Sequence, residues 1–121
     1  MNKATLLNEL LREFESNTPL KINAVVSRDG PLIASITDYQ FNEDSISGLA
    51  ADITILSDRT IKELLNTTVR KIIIDSEEGS VILIPAGEEA IIFSLIPNKK
   101  NLRLVISKLE KLAKNVEKIL M

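Results

Sequence analysis

Residues 72–93 read IIIDSEEGSVILIPAGEEAIIF, and the fold turns on how that stretch is understood. It holds three apolar runs, Ile72-Ile73-Ile74, Val81-Ile82-Leu83-Ile84 and Ile91-Ile92-Phe93, separated by the turn signals Glu77-Glu78-Gly79 and Gly87-Glu88. Runs rich in Ile and Val between such breaks indicate strands, here over 69–75, 80–86 and 90–97. A sheet with one wet face alternates apolar and polar residues, so unbroken runs require cover on both faces. Helices elsewhere in the chain must supply it.

Three amphipathic stretches do so. Residues 3–16 space Leu6, Leu7, Leu10, Leu11 and Phe14 at helical intervals, and Asn17-Thr18-Pro19 ends the helix. Two strands follow, over 20–28 and 32–36, joined by an Asp29-Gly30 turn, with Pro31 confined to a strand start or an edge. A polar loop over 38–44 leads, with Asp44 or Ser45 as N-cap, into a helix that runs to Asn66. About the last twenty residues carry Leu102, Val105, Ile106, Leu109, Leu112, Ala113, Val116 and Leu120 on one stripe. The order is α-β-β-α-β-β-β-α. It implies an α+β fold: one domain over 1–121, a three-layer α/β/α sandwich around a five-stranded antiparallel sheet.

Composition narrows the chemistry. The 121 residues include no Cys, His or Trp, only 3 Phe and 1 Tyr, but 17 Ile and 17 Leu. A chain without Cys or His has no thiol nucleophile, zinc–thiolate site, imidazole base or His-ligated metal. A net charge of −2 with few rings argues against nucleic-acid binding. Apolar runs of six or seven residues fall far short of the ~20 that span a bilayer. The opening Met1-Asn2-Lys3-Ala4 has no secretory core, so a cytoplasmic location without membrane insertion is expected.

The middle helix is apolar on more than one side. Ile46, Leu49, Ala50, Ile53, Leu56 and Leu64 are assigned to the sheet, leaving Gly48, Ala51 and Ile55 on the opposite face. A helix apolar on two faces is buried on two faces. Either a loop of the same chain covers the outer stripe, or a second copy does, the stripe meeting itself across a two-fold axis. The Ile72-Ile73-Ile74 strand falls at a sheet edge, where it invites pairing, although Arg70 and Lys71 blunt it. The candidate dimer interface is therefore Gly48, Ala51, Asp52, Ile55, Arg59, Ile72, Ile73 and Ile74. On this reading, Ala51→Arg yields monomers or insoluble protein.

Several pieces, in order, resemble the Roadblock family, named for a dynein light chain. They are Val25-Val26-Ser27-Arg28-Asp29-Gly30-Pro31-Leu32-Ile33-Ala34, Leu49-Ala50-Ala51, the Ile72-Ile73-Ile74 strand, Val81-Ile82-Leu83-Ile84-Pro85-Ala86-Gly87 and the closing helix. The likeness runs from about residue 3 to residue 120, with Pro31 a departure from the usual turn. It implies a profilin-like or longin-like fold. It also implies homodimers, or heterodimers with a paralogue, in which the middle helix and third strand pair into one ten-stranded sheet. Family members resemble non-catalytic scaffolds or regulators of Ras-like small GTPases. Some bacterial relatives act as GTPase-activating proteins for a gliding-motility GTPase, and eukaryotic ones join dynein or lysosomal nutrient-sensing complexes. A structural adaptor that ignores the nucleotide state is the alternative.

Other constellations carry less. Glu43-Asp44, Glu77-Glu78 and Glu88-Glu89 sit in turns or loops, where acidic residues are common, and sequence neighbours there point apart. No phosphate-binding glycine loop is present, so no cofactor or nucleotide is expected. Arg59 and Lys62 near the end of the middle helix suit its dipole as solvated cations. An arginine offered to a GTPase is the sharper alternative. The first helix has a mixed polar face, which favours packing on the sheet over a membrane surface. Lys100, Arg103, Lys108, Lys111, Lys114 and Lys118 make the last helix basic, with Glu110 spaced to pair with Lys114.

Overall fold

A computed structural model of the chain describes residues 1–18, 20–37, 39–97 and 101–121. The expectations that fall on Pro19, Asp38, Asn98 and Lys100 lie outside the described residues. Asn2 accepts a hydrogen bond from the Thr5 N–H (2.8 Å) and opens α1 (Lys3–Asn17), which closes with the Thr18 N–H on the Phe14 carbonyl. Strands β1 (Ile22–Ser27) and β2 (Leu32–Thr37) form the first hairpin. Gly30 takes φ +115° there, a region costly for any residue with a Cβ. Pro31 precedes β2 without donating, its carbonyl accepting from the Ser27 N–H at 2.8 Å, and the register slips between Val25 and Val26.

Helix α2 (Glu43–Leu65) is capped by Asn42, whose side chain accepts from the Ser45 N–H at 3.0 Å. The cap thus lies before Asp44 and Ser45; Glu43 and Asp44 occupy the first turn, where acidic groups favour the helix dipole. Asn66 ends the helix in the left-handed conformation. Then come β3 (Ile72–Asp75), β4 (Ser80–Ala86), β5 (Ala90–Ile96) and α3 (Leu102–Leu120). The sheet order is β2-β1-β5-β4-β3 and every pairing is antiparallel. Element order, strand number and the α+β class are as the sequence implies.

The buried strands have cover on both sides. On one face, Val25, Ile82, Ile84 and Ile92 pack with Leu7 and Leu11 of α1 and Leu109, Leu112 and Val116 of α3. On the other, Ile22, Ala24, Val26, Leu83, Ile91 and Phe93 pack with Ala50 of α2. Two expectations need correcting. The Ile72-Ile73-Ile74 run is not sandwiched, because Ile73 is 45 % and Ile74 41 % exposed on the outermost strand. The sheet-facing side of α2 is also not the leucine stripe. Ser47, Ala50, Ala51 and Thr54 are buried, whereas Leu49 is 51 % and Leu56 59 % exposed.

Size explains the second reversal. Small residues let the helix axis approach the sheet closely, and Thr54 keeps its buried hydroxyl satisfied on the Ala50 carbonyl at 2.9 Å. Leu64, which its spacing also assigns to the sheet, is 73 % exposed. A helix of 23 residues spans about 34 Å, against about 23 Å for a seven-residue strand, so its last turn overshoots.

Leu109 anchors α3 in the larger core and is fully buried. Leu109→Ala is expected to lower unfolding free energy by about 2–5 kcal/mol in urea titration, with little change in the slope.

Candidate functional site

The uncovered apolar surface is built from β3 and one flank of α2. Among the described residues β3 pairs only with β4, from Ile72 opposite Leu83 to Asp75 opposite Ser80, so its outer edge is open. The opposite edge strand, β2, follows Pro31 directly and packs under α1. Beside β3, Leu56, Thr60 and Ile61 of α2 and Val69 and Ile72 line an open groove of about 610 Å³. Leu56 therefore faces the groove beside β3, while Leu49 is half exposed on the same helix.

An ionic clip holds this geometry. Arg28, at the hairpin tip, donates from Nη1 to Asp58 Oδ2 (3.2 Å) and from Nη2 to the Gly87 carbonyl (3.0 Å). Asp58 Oδ1 accepts from the Val69 N–H at 3.2 Å. One carboxylate thus ties α2 to the β1–β2 turn and to the segment entering β3. Both side chains are about one-third exposed, so the clip acts more as a locator than as a large source of stability.

The residues named from sequence separate into three groups. Ile72, Ile73 and Ile74 lie on the open edge strand. Asp52, Ile55 (48 % exposed) and Arg59 reach solvent on α2, and at Gly48 the chain leaves open space where a side chain would stand. Ala51 is a correction: it is 4 % exposed and already buried within its own chain, so it is not free to meet a partner. At 100° per residue it stands beside Ala50 and Thr54, on the shoulder away from Leu49 and Leu56. The residues missed were Leu49, Leu56 and Thr60, and also Arg28 and Asp58. The signal is the spacing 49/53/56, which apolar character alone assigns to the sheet and which Thr60 continues.

The remaining polar groups are spread out. Glu43 and Asp44 open α2, Glu77 and Glu78 lie in the exposed β3–β4 turn, and Glu88 and Glu89 lie in the β4–β5 turn. Among the described residues no group of three or more His, Cys, Asp or Glu could hold a metal ion. No helix there is long and apolar enough to cross a membrane. On α3, Glu110 turns to Arg70 (3.9 Å) and Lys71 (4.0 Å) instead of Lys114. Arg103, Lys108, Lys111, Lys114 and Lys118 are exposed.

Two substitutions separate the buried from the uncovered face. Ala51→Arg places a charge in a closed site and is expected to reduce the folded, soluble yield or the melting temperature. Leu56→Glu, on the wet flank, is expected to leave the chain's own fold intact, with circular dichroism and its thermal transition as the measurements.

Comparison with known proteins follows this geometry closely. An uncharacterized protein of Methanocaldococcus jannaschii, MJ1340, is 25 % identical over 112 residues, covering 93 % of this chain and 97 % of its own. The solved structure of Myxococcus xanthus MglB superposes with a TM-score of 0.90 at 19 % identity, over 97 % of this chain and 89 % of that one. A second structure, MglB with a tetrameric arrangement, gives 0.89 at 17 % identity over 97 % and 89 %. The Roadblock/LC7 domain profile matches residues 6–95, from the first helix through the last strand. The chain belongs to the Roadblock/LC7 domain family.

Proposed function

We propose that this protein is a non-catalytic, cytoplasmic interaction module, one domain over residues 1–121. It works as a dimer of identical or paralogous chains and binds a Ras-like small GTPase to regulate or localise it. The observation that carries the reading is the apolar flank of α2 beside the open edge of β3. Ile73, Ile74, Leu49 and Leu56 are each between 41 % and 59 % exposed, and Leu56 shares a groove with Ile72 of the edge strand. A lone subunit gains nothing from such a surface and risks aggregation. A second copy covers both parts at once. Strand addition at β3 and helix packing at α2 use the same two-fold axis.

Membership of the Roadblock/LC7 family supports the partner class through the resemblance described above, which implies scaffolds and regulators of Ras-like small GTPases. The reported tetrameric arrangement of MglB supports self-association as a property of this fold. The chain's part in such a complex is to present a preformed surface. Backbone and helix faces then contact the GTPase, without any resident nucleotide.

Light scattering is expected to give a mass near twice 13.4 kDa. Capture of small GTPases on the immobilised protein is expected to differ between GTP- and GDP-loaded forms. Equal capture of both forms would favour the structural adaptor, and a monomer at high concentration would remove the proposal.

A further inference from the structure

We propose that the outer face of α3 is a docking surface for the anionic headgroups of a lipid bilayer, on which the protein lies without crossing it. Arg103, Lys108, Lys111, Lys114 and Lys118 are all exposed, and from first to last they cover about 22 Å of helix. At 100° per residue they fall in an arc of about 140°, centred opposite the buried Leu109 and so directed away from the sheet. No acidic residue of α3 shares that arc. Glu110 turns aside to Arg70 and Lys71, and Glu117 lies against Gly87 in the β4–β5 turn. Among the described residues these cations take part in no salt bridge, and Lys108 donates to the Thr18 hydroxyl at 3.4 Å.

Charge is segregated by layer. The chain has a net charge of −2, and α2, on the other face of the sheet, carries five acidic residues against two basic ones. α1 shares the layer with α3 and is balanced on its exposed side, with Lys3 and Arg12 against Glu9 and Glu13. A negative plane therefore attracts one face of the molecule and repels the other, which leaves α2 turned to solution. Clusters of about four to eight Lys or Arg on an amphipathic helix suit anionic lipid. Two features favour a bilayer over an acidic protein. Four of the five cations are lysines, point charges on flexible stems that follow laterally mobile headgroups, whereas a fixed pattern of carboxylates favours the arginine fork. Leu104, 55 % exposed, stands inside the same arc, where a headgroup layer accepts an apolar side chain. α3 also lacks any aromatic residue on which a nucleic-acid base could stack.

The test is partition of the full-length protein onto sedimented vesicles. Binding is expected to phosphatidylcholine vesicles that contain about 30 % phosphatidylserine and not to phosphatidylcholine alone, and to fall about tenfold or more between about 0.1 and 0.5 M salt. Lys111→Glu with Lys114→Glu is expected to weaken the partition about thirtyfold or more. Lys21→Glu with Lys62→Glu makes the same change in net charge away from α3 and is expected to cost less than about threefold. Because the chain has no cysteine, Leu104→Cys and Leu64→Cys each accept a single environment-sensitive dye. The dye at position 104 is expected to shift to the blue on phosphatidylserine vesicles, and the dye at position 64, on α2, to stay unchanged. Circular dichroism is the folding control. Light-scattering mass is expected to be the same for the Lys111/Lys114 variant and wild type, so lipid binding and the proposed dimer stand or fall separately. No partition onto phosphatidylserine vesicles, equal losses from the two double variants, or a shift at position 64 instead of 104 would overturn the proposal. Binding to soluble polyglutamate as tight as to the vesicles, at equal charge, would also overturn it and assign the face to an acidic protein.

Discussion

The free edge of β3 is the constraint around which the rest of the molecule is arranged. A strand has two hydrogen-bonding edges, and β3 spends one on β4. The other is left beside Ile73 and Ile74, and across a groove from this strand stands Leu56 of α2. Fully burying a large aliphatic side chain contributes about 1.5–3 kcal/mol, so covering four half-exposed ones in each of two chains is a substantial driving force for association. β2, at the far edge, is treated differently, with Pro31 directly before it and α1 packed against it.

What keeps the open side usable is the position of α2. Its sheet-facing stripe of Ser47, Ala50, Ala51 and Thr54 lets the helix sit low, which leaves the longer leucines to the side. The Arg28–Asp58 clip sets its azimuth and joins it to Val69, the approach to β3. Helix flank and strand edge are therefore placed relative to each other before any partner arrives. Preorganisation of that kind lowers the entropy that binding must spend.

Much of this was legible in the amino-acid sequence. The runs in residues 72–93 identified three strands and their need for cover, and Asp29-Gly30 marked the hairpin. The edge position of Ile72–Ile74 followed from the order of the strands. The faces of α2 did not follow. Hydrophobicity alone sends Leu49 and Leu56 to the sheet, but the close helix–sheet approach admits only small side chains there, and composition by itself does not disclose that distance. Ala51 was misplaced for the same reason: a small residue suits a dimer seam and a tight internal contact equally well. The Arg28–Asp58 pair spans 30 positions in sequence and has no local signature, so only the folded arrangement reveals it.

The uncovered flank and edge are proposed as a single surface made for another subunit. Hydrogen exchange of those β3 amides that point away from β4, followed over a wide range of protein concentration, tests it most directly. Protection of these amides that rises with concentration, in step with protection along α2, is the result the account predicts. Rapid exchange at every concentration, with the rest of the sheet protected, would contradict it.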